Sequence, residues 1–235
     1  MSPSADTTDL AQLLVSLQLS DSAFPSGFYT MSHGLEGFHQ AHLVASGDVG
    51  ALLDDLLVTS VGPGDATALA RAHEAADVGD WATVAAVDRL LFAAKLNAEM
   101  RSASVRSGRQ LIGLAAEVFG DDDIAAYAAK VTARTVPGCQ PIVSAICYAA
   151  TGVSRPRAVA SDLFAFAASF VGAALRMRLT DHRGAQVILR RVAATIEMVT
   201  ADALVRPIDD LGGYAPMADI SSARHERADG RLFTS

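Results

Sequence analysis

Cysteine is almost absent from this sequence, with only Cys139 and Cys147 among 235 residues. Two thiols at that spacing fit neither a disulfide framework nor a zinc pair, so both are read as small buried fillers in a reducing compartment. Aromatics make up only 6% of the chain while alanine is abundant, which favours closely packed helices over sheet. No segment shows the period-two alternation of a half-buried strand, and there is no internal repeat or low-complexity tract. Positive charge is in deficit. A net charge of −7 offers no basic field for a phosphate backbone, so nucleic acid is not an expected partner. The N-terminus lacks the basic region of a secretory signal, which makes the cytoplasm the expected location. Also missing are the phosphate-binding glycine motifs, H-E-x-x-H and G-x-S-x-G, and their absence shifts weight away from the common enzyme classes.

What is present is hydrophobic residue, 51% of the chain against 19% charged, enough for a sizeable core. Breaks and caps predict a single-domain all-α bundle of about nine or ten helices over residues 1–206, followed by a mobile C-terminal tail over 207–235. The first helix, Leu10 to Leu19, carries Leu10, Leu13, Leu14 and Leu17 on one stripe. A second is expected from Thr30 to Leu43, and a third after Ser46. Gly62-Pro63-Gly64 reads as a break, and Asp80 caps a long region reaching toward Phe119 with Gly108 as its weak point. The run Ala158 to Leu175 comes near a spanning length. Its interior Asp162 and its many alanines favour a central core helix over a membrane segment.

Few residues invite a chemical reading. His33, Glu36, His39 and His42 recur every three positions. On a helix that spacing drifts about 60° per step, so four ligands on one helix cannot converge. Ordinary polar-face residues are the plainer reading, with His33, His39 and His42 left as candidates for a transient nickel contact through one pair. Arg176, Arg178, Asp181, His182 and Arg183 form a charged knot that suits either a solvated helix end or a docking surface. Glu99 and Glu197 are the carboxylates that a helical enzyme would use.

Two segments together resemble a known family. Leu17-Gln18-Leu19-Ser20-Asp21-Ser22-Ala23-Phe24-Pro25-Ser26-Gly27-Phe28-Tyr29, continuing to Ser32-His33-Gly34-Leu35-Glu36, is similar to the opening of the urease accessory protein F family (UreF). Ile220-Ser221-Ser222-Ala223-Arg224-His225-Glu226 with Arg231-Leu232-Phe233 resembles that family's C-terminal motif. His33 stands where glutamine is usual, and Thr180-Asp181-His182-Arg183 replaces a more apolar loop.

The resemblance implies an all-α homodimer that is not an enzyme. It would bridge accessory protein D (H in some systems) and the nickel GTPase, accessory protein G, during nickel insertion into apo-urease. It implies no stably bound cofactor, Ni²⁺ being handled by the complex, and no membrane. By the same resemblance Arg224, His225, Glu226, Arg231, Leu232 and Phe233 would bind accessory protein D, and Phe28, Tyr29, Ser32, Glu36 and Arg178 would form the dimer surface that meets the GTPase. Glu36→Ala is then expected to alter GTPase timing without loss of assembly. The alternatives are a helical small-molecule-binding protein and a diverged member without a urease role.

Overall fold

The computed structural model describes residues 5–22, 24, 30–225 and 232–233. Among these residues there is no strand. Helices α1 (Ala5–Ser20), α2 (Leu35–Gln40) and α3 (Val49–Leu56) come first. Helix α3 runs on through a π-helical stretch, Leu57–Ala66, into α4 (Thr67–Asp77). Then follow α5 (Trp81–Ala94), α6 (Ala98–Phe119), α7 (Asp122–Thr132), α8 (Gln140–Ala150), α9 (Arg155–Arg176), α10 (His182–Val205) and α11 (Pro216–His225). The bundle expected from the sequence is therefore the fold.

At its centre lies α8, which is buried on every side from Gln140 to Tyr148 and packs against α4 and α6. The all-round apolar helix is thus this short one. Helix α9 pairs with α10 and also touches α1, α4 and α8, but leaves Phe164 and Leu175 exposed. It is the one described helix long and apolar enough to cross a membrane, and its Asp162 turns inward to Gln140 of α8. Side chains at the helix starts satisfy orphan N–H groups, as expected of such residues. Asp80 accepts from Thr83 N at 3.0 Å, Asn97 from Met100 N at 2.7 Å, Asp121 from Ile124 N at 3.1 Å and Asp181 from Gly184 N at 2.7 Å.

Three sequence expectations need correction. Gly62-Pro63-Gly64 does not end a helix, because a wider turn absorbs the proline that has no N–H to give. The carbonyls this turn frees find other donors. Thr67 Oγ1 donates to Gly62 O at 2.9 Å, Gly212 N to Pro63 O at 3.1 Å and Tyr214 N to Thr59 O at 2.8 Å. The region from Asp80 breaks at residues 95–97, where Asn97 caps α6, and Gly108 sits unbroken in mid-helix. There a Cβ would overlap the carbonyl oxygen of Gly138, so glycine serves the close approach of α6 to the turn before α8. Finally, the helix expected from Thr30 to Leu43 is only Leu35–Gln40, since His33 at φ 53° and Gly34 at φ 86° adopt left-handed backbone.

No sequence motif signalled Asp88. Its fully buried carboxylate accepts from Tyr127 Oη at 2.8 Å, Gly138 N at 2.7 Å and Cys139 N at 2.9 Å. One side chain of α5 thus ties α7 to the start of α8. Helix α1 lies along α9, held there by the Asp9–Arg157 ion pair at 2.7 Å. Its leucine stripe faces outward, with Leu10, Leu13, Leu14 and Leu17 each 42–58% exposed.

Candidate functional site

The left-handed pair His33-Gly34 swings the chain sharply before α2 and puts Glu36 on its buried side, 3% exposed. A carboxylate so enclosed needs donors. Glu36 Oε1 accepts from Leu232 N at 2.8 Å and Oε2 from Phe233 N at 3.0 Å. Two parallel bonds from consecutive main-chain amides to one charged group make a strong, oriented clamp on the end of the chain. Gln40 Nε2 approaches Oε1 at 3.4 Å, and buried Ser32 Oγ accepts from Glu36 N at 3.4 Å. The ring of Phe233 is buried, and the guanidinium carbon of Arg176 at the end of α9 lies 4.7 Å from its centroid. Helix α11 packs on α2 with Ser221 and Ser222 inward and Arg224 outward.

The structure therefore brings together residues that the sequence reading kept apart. Glu36, expected on one surface, holds Phe233, expected on another. Leu232 beside it points to solvent, 77% exposed. Arg178 is exposed in the α9–α10 turn at φ 59°. Phe28, Tyr29, Glu226 and Arg231 lie outside the described residues, and His225 is placed only as backbone within α11. Nothing in the sequence spacing signalled the Glu36–Phe233 contact, since it joins positions 197 apart.

The three histidines do not converge. His33 Nε2 lies 2.9 Å from Ser169 Oγ and its ring is 4.4 Å from that of Phe166, whereas His39 and His42 are exposed. Burial lowers the His33 pKa to about 3, with the charges of Lys95 and Arg176 acting in the same direction, so the imidazole is neutral in the fold. Among the described residues no three His, Cys, Asp or Glu side chains gather to hold a metal ion. Burial also raises both thiols, Cys147 to about 12, which leaves them protonated and unreactive.

Behind this clamp are two small cavities of about 90 and 50 Å³, with His33, Asp65, Lys95 and Phe166 in the walls of both. Lys95 Nζ and Asp65 Oδ1 pair at 2.6 Å between them. At the inner end Gln140 Nε2 donates to Asp162 Oδ1 at 2.8 Å. Burial pushes the Asp162 carboxyl up to about 6, partly offset by the hydrogen bonds from Gln140 and Ser144.

Unfolded, Asp162 would titrate near 4, so the folded state binds more protons between about pH 4 and 6. Its contribution to stability is fully present below the lower value and is lost as pH rises through the upper one. Asp162→Asn is expected to raise stability at pH 7 by about 1–2 kcal/mol and to have little effect near pH 4. Urea denaturation of both proteins across this range reads the difference. A gap that stays constant with pH would show that Asp162 does not titrate there.

Fold and site together define an all-α protein whose buried polar groups fasten its own segments: Asp88 the α8 turn, Glu36 the chain end. The sequence model of the UreF family matches residues 44–193. Urease accessory protein UreF 2 of Brucella canis is 30% identical over 98% of this chain and 95% of its own length. Urease accessory protein UreF of Trichodesmium erythraeum is 28% identical over 97% and 99%, and that of Photorhabdus laumondii 30% over 95% and 98%. The chain belongs to the UreF family of urease accessory proteins.

Proposed function

We propose that this chain is a non-enzymatic, cytoplasmic assembly factor that bridges accessory protein D or H and the nickel GTPase, accessory protein G, during nickel insertion into apo-urease, and that it regulates the GTPase. Ni²⁺ is cargo of the complex, no cofactor is held stably, and neither nucleic acid nor membrane is a partner. The observation that carries this reading is the Glu36 clamp, which physically joins the two regions assigned to different partners. Arg224, His225, Glu226, Arg231, Leu232 and Phe233 remain the residues assigned to accessory protein D. Phe28, Tyr29, Ser32, Glu36 and Arg178 remain those assigned to the GTPase-facing dimer surface. A homodimer is supported by the outward leucines of α1, an apolar stripe that a monomer would leave in water.

Because Glu36 also orients the chain end, Glu36→Ala is now expected to weaken binding of accessory protein D as well as alter GTPase timing, which replaces the expectation that assembly stays intact. The test is co-purification of accessory protein D from the same source with the full chain, with a form lacking residues 226–235 and with Glu36→Ala. The full chain is expected to hold the partner, the truncation to lose it, and Glu36→Ala to weaken it about tenfold or more, since an oriented pair of charge-assisted bonds is lost. A truncated chain that binds as well as the full one would remove the tail from the reading. No binding by the full chain would overturn the bridging role.

A further inference from the structure

A groove between the end of α5 and the outward face of α6 plays no part in the reading above. It is open, about 560 Å³, with Phe92, Ala98 and Val105 in its wall and Arg101, Arg106 and Arg109 around it. The helix period explains the grouping. Positions 101, 105 and 109 follow one another at four-residue steps, and so do 98, 102 and 106, so the two rows lie side by side along one face of α6.

The arginines differ in what they do. Arg101 Nη1 donates to the carbonyls of Lys95 and Leu96 at 2.5 and 2.9 Å, and its guanidinium carbon lies 6.0 Å from the Phe92 ring centroid. It is thus fixed as part of the wall. Arg106 and Arg109 are exposed between one and a little over two turns further along. Phe92 in the wall is 38% exposed, leaving apolar surface in water beside these cations. Among the described residues no Asp or Glu lines the groove, although the whole chain carries a net charge of −7. The sign of charge therefore reverses locally, around an apolar floor.

We propose that this groove docks an acidic segment of a protein partner, one that sets an apolar side chain against Phe92 and Val105 and its carboxylates on the arginines. Guanidinium forks match carboxylates in geometry, and a local patch of opposite sign steers an acidic chain to this face alone. A polyphosphate is the poorer fit. Three cations on an otherwise negative protein give little counterion release, and one partly exposed ring offers no succession of stacking platforms.

The test uses the full-length protein and fluorescence anisotropy with a labelled peptide of three Glu-Glu-Leu-Phe repeats, its Gln-Gln-Leu-Phe counterpart and an oligouridine of matching length. The acidic peptide is expected to bind, the glutamine peptide about tenfold more weakly or worse, and salt to weaken the acidic one. Arg109→Glu is expected to reduce acidic-peptide binding by about tenfold or more. Phe92→Ser is a second variant with the same readout should the first fold poorly, and circular dichroism checks both. Equal binding by both folded variants and the parent protein, or no binding of the acidic peptide by the parent, overturns the proposal. Oligouridine binding tighter than the peptide overturns it in favour of a nucleic-acid surface.

Discussion

Asp88→Ala is expected to destabilise the fold by about 4 kcal/mol, a large share of the roughly 5–15 kcal/mol that holds a domain together. The substitution would leave three buried donors, Tyr127 Oη and the amides of Gly138 and Cys139, without their acceptor. Each orphan costs about 1–3 kcal/mol, and water has poor access to a site where Asp88 itself is fully buried. Burial first, and then the Asp88 charge, push the Tyr127 hydroxyl and the Cys139 thiol upward, so both neighbours stay protonated and Tyr127 remains a donor. Tyr127→Phe removes one donor and leaves the carboxylate two amides, so it should cost only about 1 kcal/mol. Urea midpoints of the two variants decide the matter. Equal losses would mean that the carboxylate does not organise the turn.

Helix α6 offers the second large effect, because two of its glycines should respond to alanine with opposite signs. In a helix interior alanine is better than glycine by about 1 kcal/mol. Gly113 has nothing within 4 Å of where a Cβ would lie, so Gly113→Ala should gain about that amount. At Gly108 the new Cβ would overlap the Gly138 carbonyl, in a turn that Asp88 already fixes. Gly108→Ala should therefore lose about 3 kcal/mol, propensity notwithstanding, as helix and turn are forced apart. Thermal melts of the two single variants are sufficient. A stabilised Gly108→Ala protein would show that α6 and the turn before α8 do not meet as closely as described.

These two sites show what the sequence could and could not reveal. The helix starts at Asp80 and Asp121 were legible, because these side chains act locally, on amides two or three residues away, whereas the start at Asn97 was missed. So was the absence of sheet. Gly62-Pro63-Gly64 and Gly108 were misread because glycine and proline signal a backbone need without saying which one. At the first position a distant strand of backbone, Gly212 to Tyr214, supplies donors to a widened helix. At Gly108 a distant turn needs the space. The candidate site was legible only as two resembling segments, Ser32 to Glu36 and Arg231 to Phe233. Their meeting depends on tertiary contact across almost the whole chain, and no local pattern encodes that. The arginine face of α6 was not singled out in the sequence, since its groove depends on where α5 ends.

The Glu36 clamp has a consequence for synthesis. Its two halves leave the ribosome far apart in time, since they lie 196 and 197 positions apart. The helical core can form while the chain is still being made, since domains fold as units during synthesis. The clamp must wait for Leu232 and Phe233. A chain that stopped before Leu232 would retain a folded body and leave Glu36 buried without these amide donors. The contact therefore dates a nascent molecule, forming only once translation has passed Phe233.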